Sequence, residues 1–223
     1  MAAIGRLAGG VAHEINNPLT GVLNNVQLIR MMSSEKKELS PDDFKDLLEI
    51  IEESAVRCKK ITETLIVFSH SSVMDFNEIS LNEILEKSIV LMDNEIKSQN
   101  ILFKNELQPG LPNIKGNLAL LQQIISNLIS NARWAVEKKF NNSGGGIISV
   151  KTEHALDKAL VNLYITDNGI GIAEEKISQV FDPFFTTKQI GEGKGLGLPL
   201  VYYVIKQHKG AITVESKLNE GSV

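Results

Sequence analysis

Apolar residues recur every three or four positions through most of the first seventy residues, and this spacing limits how the chain can fold. It predicts two long amphipathic helices, over residues 3–33 and 41–70, joined by a polar connector in which Ser40 is a natural N-cap for the second helix. Two such helices in a hairpin cannot cover their own apolar faces, so we expect a second copy of the chain to complete a dimeric four-helix bundle. The apolar positions are Ile4, Leu7, Ala8, Val11, Ile15, Leu19, Val22, Val26 and Ile29, then Phe44, Leu47, Leu48, Ile51, Ala55, Cys58, Ile61, Leu65 and Phe68.

His13 lies on the first predicted helix, almost opposite its apolar stripe. At about 100° per residue, Asn17 falls on the same side one turn later, and the acidic Glu14 directly follows the histidine. Gly9 and Gly10 leave room on that side for a large partner to approach. Most histidines on helices are only solvated side chains, and against that background the pattern marks His13 as a candidate for presentation to another body.

Composition narrows the class of protein. The net charge is −4, and lysine and arginine are scattered among acidic residues, which does not favour nucleic acid as a partner. Cys58 is the single cysteine of the chain, so the sequence excludes an internal disulfide and fits a reducing compartment. No apolar run approaches 18 residues, so we expect no membrane contact by this segment and a cytoplasmic location.

Beyond about residue 77 the pattern changes to alternating helices and strands. We therefore expect two domains, an all-α helical hairpin over 1–73 and an α+β sandwich, with helices on a mixed sheet, over 77–223. The predicted elements are a helix capped by Ser80 and reaching 98, a strand at 101–107, a helix at 117–138, a hairpin of 147–154 and 159–166, a helix from 197, and a last full strand from Ala211 to Ser216.

Two asparagines, Asn127 and Asn131, lie one turn apart on the predicted helix at 117–138. Asparagine disfavours both a helix interior and an apolar core, so a purely structural explanation requires buried partners for both amides. An amide oxygen is a neutral ligand suited to a magnesium ion that keeps its waters and also binds phosphates.

A second polar cluster, Asp167 to Ile172, directly follows a predicted strand. Its Asp-Asn-Gly sequence is also common in plain tight turns. A carboxylate at a strand end can accept a hydrogen bond from an exocyclic amine, and Gly169 and Gly171 would let the backbone approach a flat ring.

The third cluster, Gly191 to Leu198, is glycine-rich and leads into a predicted helix. A flexible linker would explain its glycines but not the well-patterned helix that follows. Free backbone N–H groups at the start of a helix favour phosphate binding.

These clusters, with Phe181 to Lys188 between the last two, resemble the ATP-binding domain of the sensor histidine kinases, and the helical hairpin resembles their dimerisation and phosphoacceptor domain. The resemblance covers nearly the whole chain. It implies a two-component signalling enzyme in which ATP phosphorylates a histidine, which passes the phosphoryl group to an aspartate of a response regulator.

Carried over to this chain, the resemblance implies that His13 is the phosphoacceptor and that Glu14 orients its imidazole and takes or shares its proton. Asn17 would position the water that removes phosphate from the response regulator. Asn131 would hold Mg²⁺, Asn127 would support the nucleotide and the metal, and residues 182–194 would form a lid. The resemblance gives Asp167 the adenine amino group and places Gly169, Gly171, Ile172, Lys188, Gly193, Gly195, Leu196 and Gly197 in the nucleotide site.

The chain departs from the family where many members carry a basic residue three positions after the metal asparagine. Here that residue is Trp134, with Arg133 beside it. Two other interpretations compete. One is an ATPase similar to the gyrase and heat-shock chaperone domains, which place a water-activating glutamate at the position held here by Asn127. The other is a non-catalytic scaffold that dimerises and only binds nucleotide.

Overall fold

The structure is a computed structural model that describes residues 2–34, 40–69, 75–155, 160–188 and 195–223. The side chains of residues 2–14, 60 and 63–69 lie outside this description. The chain divides into two compact units, Met1–Ser71 and Ser72–Val223. In the described residues, no helix is both long enough and apolar enough to cross a membrane.

The first unit is a helical hairpin of α1 (Ala2–Ser34) and α2 (Pro41–Ser69), close to the predicted bounds. Ser40 caps α2 as its sequence suggests: the Asp43 N–H donates to Ser40 Oγ at 3.1 Å. The helices pack closely at Gly21, where an added Cβ would lie 3.1 Å from Ser54 Oγ. Several large apolar side chains remain exposed on the hairpin, among them Leu19, Leu23, Val26, Phe44 and Leu48.

The second unit contains a mixed five-stranded sheet and a small two-stranded one. The large sheet has the order β2-β4-β5-β7-β6, in which β2 runs parallel to β4 and the other neighbours are antiparallel. The smaller sheet pairs β1 with β3. The strands of the unit are β1 (Asn77–Ile79), β2 (Ile101–Glu106), β3 (Ile114–Gly116), β4 (Gly146–Ala155), β5 (Leu160–Asp167), β6 (Ser216–Lys217) and β7 (Gly221–Ser222), and its helices are α3 (Leu81–Ser98), α4 (Leu118–Phe140), α5 (Glu174–Ile177) and α6 (Gly197–Gln207).

Helix α4 is the centre of this unit, since it packs on β4 and β5 and contacts both α3 and α6. Its N-terminus is fixed by Asn117, whose Oδ1 accepts the Leu120 N–H at 3.0 Å and whose own N–H donates to His208 Nε2 at 3.0 Å. Ser80 caps α3 as predicted, through the Glu83 N–H at 3.3 Å. The core between these helices and the sheet includes Ile84, Leu85, Ile124, Ile125, Ile129, Ile148, Val150, Leu200, Val201 and Val204.

The predicted last full strand, Ala211 to Ser216, is wrong. Only Ser216–Lys217 is a strand, paired with Gly221–Ser222, and Glu215 and Val223 exchange two backbone hydrogen bonds of 3.0 and 2.8 Å beyond it. A strand exists only where a ladder is paired, and in this register the paired ladder is confined to Ser216–Lys217 and Gly221–Ser222.

Candidate functional site

A cavity of about 260 Å³ opens in the second unit beside α4, the end of β5 and the start of α6. This volume lies just below the range of about 300–1,000 Å³ that small-molecule sites occupy. Most of its wall is apolar, with few polar groups. Of the residues predicted for the nucleotide site, Asn131, Asp167, Gly171, Ile172, Lys188, Gly195 and Gly197 line it.

Both predicted asparagines face the first residue of α6. A Cβ added to Gly197 would lie 3.9 Å from Asn131 Nδ2 and 4.0 Å from Asn127 Cγ. Asn131 lines the cavity, while Asn127 stands one turn earlier on α4 and is partly buried. The spacing of the two amides on α4 therefore brings both of them to the start of α6.

The start of α6 offers backbone donors. Among the described residues no side chain caps this helix, and Leu196, at the N-cap position, is buried. Pro199 carries no N–H, so the first-turn donors are those of Gly197 and Leu198. Gly197 and Leu198 also line the cavity, where the positive end of the helix favours an anion.

Asp167 places one carboxylate in the same cavity at the end of β5. Its Oδ1 accepts the Gly169 N–H at 2.8 Å. Burial raises the pKa of Asp167 to about 6, although the hydrogen bond from Gly169, the charge of Lys139 and the hydrogen bond from Ser222 act in the opposite direction. A further hydrogen-bond donor in the cavity would therefore stabilise the ionised Asp167 carboxylate.

The glycines after Asp167 make room for the protein's own backbone. A Cβ at Gly169 would lie 2.5 Å from the carbonyl carbon of Ala135 on α4, and the Ile170 N–H donates to Ala135 O at 3.1 Å. Gly171 has φ +65°, and a Cβ there would collide with the Lys217 carbonyl. Gly171 and Ile172 line the cavity, whereas Gly169 is buried against α4 and is absent from the lining.

Lys188 brings a positive charge to Asn131. Its ammonium donates to Asn131 Oδ1 at 3.1 Å and lies 4.6 Å from the centre of the Trp134 ring. Arg133 instead pairs with Glu95 on α3, with Nη2 and Oε2 3.5 Å apart. Of these two basic residues, Lys188 is thus the one that lines the cavity.

The residues present fit a magnesium ion shared with phosphates. Asn131 Oδ1 already faces a cation, the ammonium of Lys188. Within the described residues there is no group of three His, Cys, Asp or Glu side chains that could hold a metal by itself. A carbonyl oxygen such as that of Asn131 suits Mg²⁺, which keeps several waters and takes further ligands from substrate phosphates.

Sequence reasoning missed much of the apolar wall. Trp134 appeared only as a departure from the family, yet its side chain lines the cavity beside Asn131. The period of α4 was the available signal, since Leu128, Asn131 and Ala135 share a face with it at steps of three and four. The other lining residues that no predicted cluster or lid contains are Ala135, Ile165, Val180, Pro199, Ile212, Thr213, Val214, Ser222 and Val223.

The remaining predicted residues divide between the two units. His13 and Glu14 lie within helix α1, but their side chains are outside the described part of the chain. Asn17, one turn after His13, is exposed. Gly193 and the predicted lid beyond Lys188 fall in residues 189–194, also outside the described residues. Gly195 lines the cavity with φ +64°, and an added Cβ would meet the backbone of Phe184 and Phe185.

Comparison with known proteins matches both halves of the chain. Residues 3–72 match the His Kinase A (phospho-acceptor) domain, and residues 116–223 match the histidine kinase-, DNA gyrase B- and HSP90-like ATPase. Sporulation kinase C of Bacillus subtilis is 31% identical over 97% of this chain and 47% of its own length. The signal transduction histidine-protein kinase AtoS of Escherichia coli is 32% identical over 97% of this chain and 33% of its own length. The chain thus spans between about a third and a half of the length of these two relatives.

Solved structures give the same result. The catalytic domain of histidine kinase ThkA is 30% identical, with a TM-score of 0.57 over 67% of this chain and 91% of that one. ThkA in complex with the response regulator protein TrrA is 26% identical, with a TM-score of 0.73 over 99% of this chain and 60% of that one. A phosphoacceptor hairpin followed by an ATPase domain, over nearly the full length, places this chain among the sensor histidine kinases of two-component systems.

Proposed function

We propose that this chain binds Mg²⁺-ATP in the cavity of its second unit, transfers the γ-phosphoryl group to His13, and passes it to an aspartate of a response regulator. The observation that carries the proposal is the convergence of Asp167, Asn131 and the N-terminus of α6 on one cavity. Asp167 matches the adenine amine of ATP, and Asn131 matches a metal ion bound to its triphosphate. The start of α6 matches the negative charge of the phosphates. The domains implied are 1–73 and 77–223.

The adenine end of the ligand is assigned to Asp167. The carboxylate accepts the exocyclic amine while Oδ1 keeps the Gly169 N–H, and the apolar wall that includes Ile165, Ile170 and Ile172 packs on the ring. A buried acceptor rejects a base that lacks the matching donor, because the carboxylate would remain unpaired. ATP is therefore preferred over GTP.

The phosphate end is assigned to Asn127, Asn131, Lys188 and the first-turn N–H groups of α6. When bound at Asn131, Mg²⁺ neutralises phosphate charge and helps to align the γ-phosphoryl group. Lys188 adds a second positive charge at the same end. Gly193, Gly195 and Leu196 belong to the segment that closes on the phosphates in this proposal.

In the transfer step the ATPase domain mainly aligns the reacting groups and forms no covalent bond itself. A ring nitrogen of His13 forms a bond to the γ-phosphorus as the bond between that phosphorus and the β,γ-bridging oxygen breaks, and ADP leaves. Glu14 accepts the imidazole proton. Asn17 is exposed on the same helix side, which supports a role in positioning water for dephosphorylation of the regulator.

The proposal includes a homodimer formed through the hairpin, a receiver domain as phosphoryl acceptor, and a cytoplasmic location, where ATP is available. Support for the dimer comes from the apolar side chains exposed on the isolated hairpin and from the phosphoacceptor family match. ThkA, which resembles this chain at 26% identity, is described in complex with the response regulator protein TrrA.

An assay with ATP labelled at the γ-phosphate tests the proposal against the two rival interpretations. The kinase predicts label on the protein that is acid-labile and alkali-stable, and its loss in Asn131→Ala. An ATPase of the gyrase type would release labelled phosphate and leave the chain unlabelled. A scaffold would bind nucleotide and produce neither.

A further inference from the structure

Lys188 makes two contacts in the cavity with residues of a single helix, α4. Its ammonium lies 3.1 Å from Asn131 Oδ1 and 4.6 Å from the centre of the Trp134 ring. Asn131 and Trp134 are three positions apart, so both project from one face of α4. The loop lysine is thus held against the helix that carries the metal asparagine.

We propose that Trp134 is a positioning residue for Lys188. The face of the indole keeps the ammonium at the phosphate end of the cavity, where Lys188 pairs with Asn131 before nucleotide binds and with the phosphates afterwards. This inference rests on the proposed function, because it takes the cavity to be the ATP site. It assigns a role to a tryptophan that stands where many family members carry a basic residue.

The electrostatics of the contact favour this role. A cation within about 6 Å of an indole centre is attracted by the negative face of the ring, and the attraction grows as water is excluded. Lys188 has a long flexible side chain, and its freedom opposes any fixed position for the ammonium. A broad aromatic face lowers that cost because the ammonium can shift along the ring without losing the contact.

The pairing with Asn131 requires an exchange on ligand binding. The oxygen that accepts the Lys188 ammonium is the one assigned to Mg²⁺, and two cations on one amide oxygen repel each other. Lys188 must leave that oxygen when Mg²⁺-ATP enters. Contact with Trp134 keeps the charge close to the incoming phosphates during the exchange.

The lack of a polar contact at the indole nitrogen indicates that Trp134 acts through the face of its ring. Its Nε1 is buried and has no hydrogen-bond partner in the described structure, so the indole is not held there by a polar bond. Arg133, which precedes Trp134 on α4, is engaged with Glu95. Among the described residues that line the cavity, Lys188 supplies the positive charge.

Calorimetric titration of the full chain with ATP and with adenosine, both with Mg²⁺, tests the inference. Trp134→Leu is expected to weaken ATP binding by about three- to tenfold, the size of a cation–π contact, and to leave adenosine binding unchanged. Trp134→Phe, which keeps an aromatic face, is expected to retain most of the ATP affinity. In a Lys188→Met background, Trp134→Leu is expected to have little further effect.

Lys138 provides a matched control, since its ammonium lies 5.8 Å from the same ring but the residue is exposed and outside the cavity lining. Lys138→Met is expected to leave ATP affinity unchanged. Equal losses of ATP and adenosine affinity in Trp134→Leu, or additive losses in the double variant, would overturn the inference and indicate a structural role.

Fluorescence gives a second readout that does not require a Trp134 variant, because the chain has one tryptophan. Lys188→Met is expected to change the Trp134 emission in the absence of nucleotide, and unchanged emission would overturn the contact. The proposed function is tested separately. A wild-type chain that binds neither ATP nor adenosine refutes the nucleotide site itself. Normal ATP binding, with additive effects of Trp134→Leu and Lys188→Met, refutes only the role of Trp134.

Discussion

Asp167 opposes folding at neutral pH. Burial raises its pKa from 3.8 to about 6, so the folded chain holds this proton more tightly than the unfolded chain. The stabilising contribution of the protonated group is fully present below about pH 4 and is lost as pH rises through about 6. The full difference corresponds to about 3 kcal/mol. Such a residue is better explained by ligand binding than by stability.

Asp167→Asn is therefore expected to separate stability from binding. The amide keeps an oxygen for the Gly169 N–H and removes the buried charge, so urea unfolding of the unliganded chain at pH 7.5 should show a gain of about 1–3 kcal/mol. ATP affinity should fall about tenfold or more, because the adenine amine loses an ionised acceptor. Asp93→Asn, which removes an exposed carboxylate paired with Lys97, is the control and should change neither property appreciably.

The pH dependence of ATP binding follows from the same carboxyl. In the wild-type chain the affinity should weaken as pH falls through about 6, when Asp167 takes up its proton. The Asn variant should lack this transition. The measurement uses adenosine in place of ATP, because adenosine has no phosphates that titrate in this range. A wild-type affinity for adenosine that stays constant between pH 7.5 and 5 would contradict the assignment of Asp167 to adenine.

At the scale of elements, the sequence was informative wherever the deciding contact is local. Ser40 and Ser80 cap helices by accepting the backbone N–H three residues ahead, so a few adjacent residues are enough to predict each cap. The last strand depends instead on pairing with residues elsewhere in the chain, which the adjacent residues do not reveal. The site behaves in the same way: the asparagine pair on α4 could be predicted from helical spacing, while the contact of Lys188 with Trp134 joins residues 54 positions apart.

Glycine roles illustrate the same limit. The sequence suggested that Gly169 and Gly171 leave space for a ring, but in the structure that space belongs to Ala135 and to the Lys217 carbonyl. At Gly197 an added Cβ would meet nothing closer than 3.9 Å among the described residues. The order of the chain does not reveal which glycines face the backbone and which face the cavity.

Alanine substitutions at Gly171 and Gly197 should therefore affect different properties, stability for Gly171 and ATP binding for Gly197. Gly171→Ala places a Cβ in a left-handed conformation against a carbonyl and should lower the free energy of unfolding by about 2 kcal/mol or more. Gly197→Ala should leave stability within about 0.5 kcal/mol and weaken ATP more than adenosine, because its methyl group faces the two α4 amides. Denaturant unfolding measures the stability of each variant, and calorimetry measures its affinity for ATP and for adenosine. Equal changes in stability and in affinity for the two variants would contradict this distinction.

At the scale of the whole molecule, the proposed nucleotide cavity belongs to one compact unit and His13 to the other. The proposed phosphoryl transfer therefore requires the cavity and His13 to meet, within one chain or between two copies. The hairpin leaves apolar side chains such as Leu19 and Val26 exposed, 48% and 38% respectively. These two residues lie a heptad apart on one face of α1, which is the pattern of a helix-bundle seam.

Charges placed on that seam should dissociate the dimer. Leu19→Glu combined with Val26→Glu is expected to convert a dimer to a monomer in sedimentation velocity, while ATP affinity stays near wild type because the cavity is in the other unit. Leu28→Glu is the control, because Leu28 is equally apolar and 38% exposed but lies on the opposite side of α1. A wild-type chain that sediments as a monomer would refute the proposed dimer.

The central claim is that the terminal phosphoryl group of ATP moves to the imidazole of His13. Mapping the phosphorylated residue by proteolysis and mass spectrometry at neutral pH, after incubation with Mg²⁺-ATP, tests it most directly, because the chain has three other histidines, His70, His154 and His208. We expect phosphate on the peptide that contains His13 and none on any peptide of His13→Gln. Phosphate on another histidine, or undiminished phosphorylation of His13→Gln, would contradict it.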